Sequence, residues 1–350
     1  MPLTIARAPT RLDFGGGWTD VPPYSTEEEG FVCNLAIARY ATVRLSSPRE
    51  ATGSPSAGER LNPPRRGEAP LRGSSDQALA AAVLRRHGTP SLTVTQTNDF
   101  PVGAGLGGSS AAGVAMVAAV SAVTAAGAGA ALAIRAATGD IDRSRLAEAS
   151  RSIEVEELGI PGGRQDHYAA AYGGGLALTF GATETAVRRL SLSPDTIRAL
   201  ESRLVVAYTG ESRISGDTIT AVLDAYGRRE RGVLHALARM KALAREMADA
   251  LEAGDVDALG ALVGEHWRHQ RALHPAIPTA RIDAIVARGG AQGAIGCKAL
   301  GASGGGCVLL VAAEGQARAV REAVAPLATL LDFAVDAEGV RCRTGEDDGT

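Results

Sequence analysis

The stretch Pro101–Ala112, P-V-G-A-G-L-G-G-S-S-A-A, constrains what this chain can fold into. Gly103, Gly105, Gly107 and Gly108 leave the backbone there almost free of Cβ atoms. Such a loop turns tightly, adopts positive φ and brings its N–H groups close to a ligand. Upstream, Ser91–Thr97 (S-L-T-V-T-Q-T) alternates strictly and predicts a half-buried strand. Downstream, an alanine-rich segment predicts a helix, with Ser109 placed to cap it. The free N–H donors of a helix N-terminus make an anion site. Strand, glycine loop and helix together predict a phosphate cradle with hydroxyls at its mouth.

Gly103-x-Gly105-x-x-Gly108 also satisfies the dinucleotide pattern. That fingerprint needs a strand ending in an acidic residue about 20 positions on. Here the chain stays alanine-rich through Ala137 and its next acid is Asp140. No G-x-x-x-x-G-K-[ST] is present, nor the H-R-D and D-F-G signatures of protein kinases. Phosphoryl transfer needs few parts: donors around the phosphates, oxygen ligands for Mg²⁺, and a group that orients or deprotonates the acceptor hydroxyl. Ser109 or Ser110, with a carboxylate from another segment, would supply such a Mg²⁺ site.

Composition narrows the setting. Hydrophobic residues make up 45% and charged residues 21%, as in ordinary globular proteins, and aromatics at 4% leave the core to small aliphatic side chains. A net charge of −3 gives no basic footprint for nucleic acid or an anionic membrane. Cys33, Cys297, Cys307 and Cys342 lack C-x-x-C spacing and read as free thiols of a reducing compartment. The start has no apolar run of signal-peptide length, so a cytoplasmic protein is expected. Phe100–Ile134 is free of charge, yet its glycine and alanine content predicts a buried helix rather than a membrane span.

Along the chain, Leu3–Ala8 predicts a strand and Pro9–Pro23 a loop crowded with Arg11, Asp13, Asp20 and three glycines. Phe31–Leu45 predicts one or two strands, Ser46–Gly73 a mobile insertion, and Asp76–His87 a helix. A helix is predicted over Arg143–Leu158, strands at Ala177–Phe180 and Leu204–Tyr208, and helices over Ser215–Ala253, Asp255–Leu273, Pro278–Ala287 and Glu314–Pro326. Helices and strands interleave without a βαβ repeat, which favours an α+β fold.

Three motifs together resemble those of the GHMP kinases, the superfamily of galactokinase, homoserine kinase, mevalonate kinase and phosphomevalonate kinase. R-A-P-T-R-L-D-F-G-G-G-W-T-D (7–20) resembles the substrate-side motif, the Pro101–Ala112 loop the ATP-binding motif, and K-A-L-G-A-S-G-G-G-C (298–307) the third, glycine-rich motif. They stand in the family order over nearly the whole chain. G-G-G-W-T-D-V-P-P-Y (15–24) resembles heptose 7-phosphate kinases and fucokinases, and G-G-R-Q-D-H-Y-A-A-A-Y-G-G (162–174) the heptose kinases in particular. Two departures stand out: Trp18 is fucokinase-like, and Gln270 precedes Arg271 where heptose kinases carry lysine.

The resemblance implies a two-lobed fold: an N-terminal lobe like ribosomal protein S5 domain 2 over residues 1–190, and a ferredoxin-like C-terminal lobe over 191–342, with 343–350 a disordered tail. It implies ATP on Pro101, Gly103, Ala104, Gly105, Leu106, Gly107, Gly108, Ser109 and Ser110, with Mg²⁺ on Ser109 and Glu154. Asp166 matches the catalytic aspartate and Arg11 the arginine near it. An Asp beside an arginine stays ionised, and Arg164 stands two positions from Asp166. Around the substrate the resemblance implies Gly17, Trp18, Asp20 and Tyr24; Gly163, Arg164, Asp166 and Gly174; and Gly304 and Gly305. Arg213, Arg271 and Lys298 are the cations available to a substrate phosphate. His266, His269 and His274 lack a zinc pattern and are expected to face an anionic substrate or solvent.

The activity implied is transfer of the γ-phosphoryl group of Mg·ATP to the anomeric hydroxyl of D-glycero-D-manno-heptose 7-phosphate. The alternatives are a kinase for fucose or another unphosphorylated sugar or cyclitol, and a non-catalytic sugar- and ATP-sensing regulator. The partners expected are the sugar and ATP, without nucleic acid or membrane; a homodimer is left open.

Overall fold

The computed structural model describes residues 3–46, 74–127, 142–211 and 216–345. Strands β1 (Leu3–Gly15) and β2 (Gly30–Ser46) form a long antiparallel pair, joined through the short helix α1 (Tyr24–Glu27). The sequence ended the first strand at Ala8, but it continues to Gly15. Every residue from Ala8 to Gly15 is buried, so its backbone needs ladder partners. Pro9 cannot donate to the ladder, and the register shifts between Pro9 and Thr10. A second shift between Asp13 and Gly15 opens the strand into the turn that carries Trp18.

The other edge of β2 takes two partners: β3 (Thr93–Asn98) opposite Ala41–Ser46, and β4 (Gly175–Phe180) opposite Gly30–Leu35. Strand β5 (Thr185–Arg189) pairs with β4. Helices α2 (Ser74–Arg86), α3 (Gly108–Gly127), α4 (Arg143–Ser152) and α5 (Gln165–Tyr172) form one layer; α3 and α5 lie on β1 and β2. Ala111–Val120 of α3 are all buried, and their small side chains let the helix approach the sheet closely. Each buried Val or Met there contributes roughly 1.5–3 kcal/mol. Among the described residues no helix is long and apolar enough to cross a membrane.

Helix α6 (Pro194–Arg203) leads into a second antiparallel sheet. It is built of β6 (Leu204–Tyr208), β7 (Ala294–Ala299), β8 (Cys307–Ala312) and β9 (Thr329–Leu331), in the order β7-β8-β6-β9. Strand β8 is buried throughout. Leu309 and Val311 enter one core cluster and Val308 and Leu310 the other, the period of two expected of a strand covered on both faces. Helices α7 (Gly216–Gly227), α8 (Arg231–Ala253), α9 (Val256–Ala272), α10 (Ala280–Gly290) and α11 (Ala317–Val324) complete this part. α8 and α9 pack on each other, α8 reaching β1 and β2 and α9 reaching β7 and β8, so the pair joins the two sheets.

Strand β10 (Arg341–Gly345) returns to the first sheet beside β1, with Gly345 opposite Leu3. Two expectations are corrected. The N-terminal lobe takes its edge strand from beyond residue 340, and Arg343–Gly345 are ladder residues rather than disordered tail. Backbone pairing with β1 orders them despite their polar composition. The insertion at 47–73, Arg213 and residues 346–350 lie outside the described residues. Cys33, Cys297 and Cys307 are buried, Cys342 is half-buried, and all four are free thiols.

Lys298 of β7 fastens one sheet to the other. It is fully buried, and its Nζ donates to the carbonyls of Asp13 and Phe14 at 2.8 and 3.2 Å and pairs with Asp13 Oδ2 at 3.2 Å. Burial pulls the Lys298 pKa down, against the raising effect of the Asp13 charge. Lys298→Met would leave the Asp13 carboxylate buried and unpaired, a loss of about 3–5 kcal/mol. Urea unfolding should show that loss, and adding Asp13→Asn should recover part of it; a stability within about 0.5 kcal/mol of wild type would contradict the fastening role.

Candidate active site

The loop between β3 and α3 is held from two sides. On one, the Arg11 N–H of β1 donates to the Leu106 carbonyl at 3.1 Å. On the other, the Cys307 N–H donates to the Ala104 carbonyl at 2.8 Å. Gly105, at φ +73°, lies against the second glycine loop; a Cβ there would stand 2.6 Å from the Leu300 carbonyl oxygen. That second loop is braced in turn: Gln270 donates to the Gly301 carbonyl at 3.0 Å, and Ser303 Oγ donates to the Ile277 carbonyl at 2.7 Å. Helix α3 begins at Gly108, and the Gly107 carbonyl accepts the Ala111 N–H. Ser109 is therefore inside the first turn rather than at the cap.

Asp166 projects from the first turn of α5 toward this loop. Arg11 Nε and Nη2 both bond to Asp166 Oδ1, at 2.8 and 2.7 Å, and Arg11 Nη1 donates to the Gly105 carbonyl. Arg11 is buried, while the Asp166 side chain is 23% exposed. A Cβ on Gly107 would stand 3.0 Å from Asp166 Oδ2. Arg11 thus grips one carboxylate oxygen and leaves the other on the side of the phosphate loop.

Glu154 lies in a π-helical turn, Ile153–Glu157, that follows α4. Its Oε2 accepts from Ser110 Oγ at 3.2 Å and from His167 Nε2 at 3.0 Å. Burial opposes ionisation of Glu154, but the His167 hydrogen bond and charge, with hydrogen bonds from Ser109 and Ser110, outweigh it and lower its pKa. Two hydroxyls and an ionised carboxylate at a helix N-terminus form a hard oxygen donor set that suits Mg²⁺.

The turn after β1 packs against the start of α5. Asp20 is buried and accepts the Gln165 N–H at 3.0 Å, and its carboxylate fills the space that a side chain at Gly163 would need. Burial raises the Asp20 pKa to about 6 against the Gln165 bond, with the Asp166 and Asp13 charges adding to the rise. Trp18 is held at φ +80°, a strained conformation worth on the order of 1–3 kcal/mol. His266 of α9 accepts the Gly16 N–H at 3.0 Å on Nε2.

A family model described as the GHMP kinases N terminal domain matches residues 77–174, and one described as GHMP kinases C terminal matches residues 247–327. This chain belongs to the GHMP kinases. It is 26% identical to a bifunctional fucokinase/GDP-fucose pyrophosphorylase of Arabidopsis thaliana over 89% of this chain and 30% of that protein. It therefore spans less than a third of that relative's length. It is 25% identical to a D-glycero-alpha-D-manno-heptose 7-phosphate kinase of Campylobacter jejuni, over 87% of this chain and 88% of that one. Its fold is shared with the crystal structure of a D-glycero-D-manno-heptose 1-phosphate kinase from Bacteriodes thetaiotaomicron, with TM-score 0.71, 22% identity, and coverage of 97% and 98%.

Several residues of this GHMP kinase stand elsewhere than the sequence suggested. Arg164 does not accompany Asp166; its guanidinium reaches the Gly181 carbonyl and Thr185 Oγ1, while Arg11, also expected near Asp166, makes the pair. Lys298 is engaged with Asp13 and is not a free cation, and Arg271 pairs with Asp283 at 3.0 Å. Tyr24 packs edge-on against Tyr226 at 5.5 Å, in the core under α7 and α8. Gly174 is a backbone junction, donating to the Asp336 carbonyl and accepting from the Ala36 N–H. Gly304 donates to the Ile277 carbonyl, and Gly305 abuts the Glu211 backbone. His266 faces the Gly16 backbone, not an anion or solvent, and no group of three His, Cys, Asp or Glu among the described residues is placed to hold a metal. Gln165 and His167 flank Asp166 in the chain, and the fold brings them to Asp20 and Glu154.

Asp20 carries a stability cost that titrates. Its folded pKa is raised, so its favourable contribution is present below the ordinary value of 3.8 and is lost as pH rises through about 6. At neutral pH the loss is on the order of 3 kcal/mol. Asp20→Asn, whose side-chain oxygen still accepts the Gln165 N–H, should therefore unfold at a higher temperature than wild type at pH 7.5, with the gain shrinking toward pH 4. Equal or lower stability at pH 7.5 would contradict the buried, strained carboxylate.

Proposed function

We propose that this GHMP kinase transfers the γ-phosphoryl group of Mg·ATP to the anomeric hydroxyl of a sugar, with D-glycero-D-manno-heptose 7-phosphate as the leading acceptor. The observation that carries the reading is the Arg11–Asp166 pair set against Gly107 of the phosphate loop. With Oδ1 held by Arg11, Asp166 Oδ2 is positioned to accept a hydrogen bond from an acceptor hydroxyl. The N–H groups at the start of α3 and the loop backbone provide donors for the triphosphate. Mg²⁺ on Glu154 with Ser109 and Ser110 would neutralise charge on the phosphate oxygens. Asp20 then offers an acceptor to sugar hydroxyls, and Gly17, Trp18 and Gly163 shape the wall around it. Trp18 Nε1, Gln165 Oε1 and Asp13 Oδ1 are buried without a hydrogen-bond partner among the described residues. Buried polar atoms are usually paired, and a polyhydroxy ligand beside Asp20 offers such partners.

A second reading, a kinase for fucose or another unphosphorylated sugar, is favoured by one observation. Lys298 and Arg271, two of the three cations considered for a substrate phosphate, are already paired with Asp13 and Asp283. Arg213 is the third.

ADP release measured with heptose 7-phosphate, mannose, fucose and galactose separates these readings. Turnover with heptose 7-phosphate alone supports the leading one, and turnover with a free sugar alone moves the assignment to the second. ATP binding without turnover on any sugar supports a non-catalytic sensor. Asp166→Asn should lower kcat by about 10²- to 10⁴-fold while ATP binding persists. Wild-type turnover in that variant would remove Asp166 from the chemistry.

A further inference from the structure

We propose that His167 is the positioning residue of the metal site: its Nε2 holds the Glu154 carboxylate in the orientation that takes Mg²⁺ beside Ser109 and Ser110. The inference rests on the reading of Glu154 as the metal carboxylate.

Glu154 is not set by a regular helix. It occupies a π-helical turn, where the i to i−4 register is broken. Its direction therefore depends on external partners: the Ser109 hydroxyl, and on Oε2 the Ser110 Oγ at 3.2 Å and His167 Nε2 at 3.0 Å. His167 is buried at 1% exposure and tied at both ring nitrogens. Its Nδ1 lies 3.0 Å from Ser150 Oγ, also buried at 1%. Ser150 sits against Gly113 of α3, where a side chain would meet its hydroxyl. The imidazole is thus wedged between α4 and Glu154 in a single orientation. A hydrogen bond to an ionised carboxylate is among the stronger ones available. Partners that orient a metal-ligating carboxylate typically govern metal affinity by 10- to 100-fold.

The neighbouring residue matters as much as the contact. Asp166 and His167 are consecutive on α5, so their side chains diverge by about 100° around the helix. Asp166 turns to Arg11 and the phosphate loop, and His167 turns to α4. One turn of α5 therefore sets both carboxylates: Asp166 directly, and Glu154 through His167.

Two substitutions separate positioning from packing. In His167→Gln the amide nitrogen replaces Nε2 and keeps the donor to Glu154. In His167→Asn it replaces Nδ1, keeping the Ser150 contact and losing Glu154. Mn²⁺ binding should be measured by electron paramagnetic resonance on the full chain with a non-hydrolysable ATP analogue, alongside the Mg²⁺ dependence of turnover and thermal unfolding. His167→Asn should weaken Mn²⁺ binding by about 10- to 100-fold and His167→Gln should stay within about threefold, with metal-free analogue binding unchanged in both. Wild-type Mn²⁺ affinity in His167→Asn, or equal losses in the two variants that follow their melting temperatures, would overturn the proposal. Glu154→Gln is the control. If it binds Mn²⁺ as wild type does, the metal reading of Glu154 falls and the proposal with it. If it loses Mn²⁺ while His167→Asn does not, the proposal alone falls.

Discussion

Everything at this site depends on a close approach of two backbone loops that side chains would prevent. The segment before α3 and the segment between β7 and β8 meet through the Ala104 carbonyl and the Cys307 N–H, with Gly105 lying on Leu300. One loop belongs to the first sheet's helical layer, the other to the second sheet. Their contact fixes the relation of the lobes at the place where the phosphate loop is needed. The Arg11 backbone and side chain then bind the same loop at Leu106 and Gly105, so the loop, the arginine and Asp166 form one rigid group.

The site is also costly to fold. Asp20 is buried without a cation among the described residues, Trp18 is held at positive φ, and Lys298 and His266 are buried ionisable groups whose pKa values burial depresses. The expense is concentrated on the turn after β1 and its supports from α9 and β7. Strain and buried charge in one turn are tolerated where the surrounding structure over-determines them. Here β2, α9 and the Lys298–Asp13 pair do so.

The glycine loop, its helix and the mixed helix and strand order were legible because each has a strong local signature. The three glycine motifs in register carried the family. What the sequence hid was mostly a matter of direction. Arg164 stands two positions from Asp166 in the chain but turns toward the β4–β5 hairpin, and the pair is made by Arg11, 155 residues away, which only the family resemblance places near Asp166. Lys298 looked like a spare cation because nothing local reveals that its side chain is buried under β1. Pro9 and the glycines disguised a central strand as a loop, since its stability comes from partners far away in sequence. His167 left a faint signal, its place beside Asp166, and only the fold showed that it reaches Glu154.

The most direct test compares two glycines with similar backbone and different surroundings. Gly105 and Gly159 have φ of +73° and +66°, but a Cβ on Gly105 would meet the Leu300 carbonyl at 2.6 Å while one on Gly159 would meet nothing within 4 Å. Replacing either with alanine costs roughly 1–2 kcal/mol of backbone strain. Calorimetric ATP affinity in the presence of Mg²⁺ should fall at least about tenfold, near 1.4 kcal/mol, in Gly105→Ala and stay near wild type in Gly159→Ala. Equal ATP affinity in the two variants would contradict the claim that the loop contact builds the site.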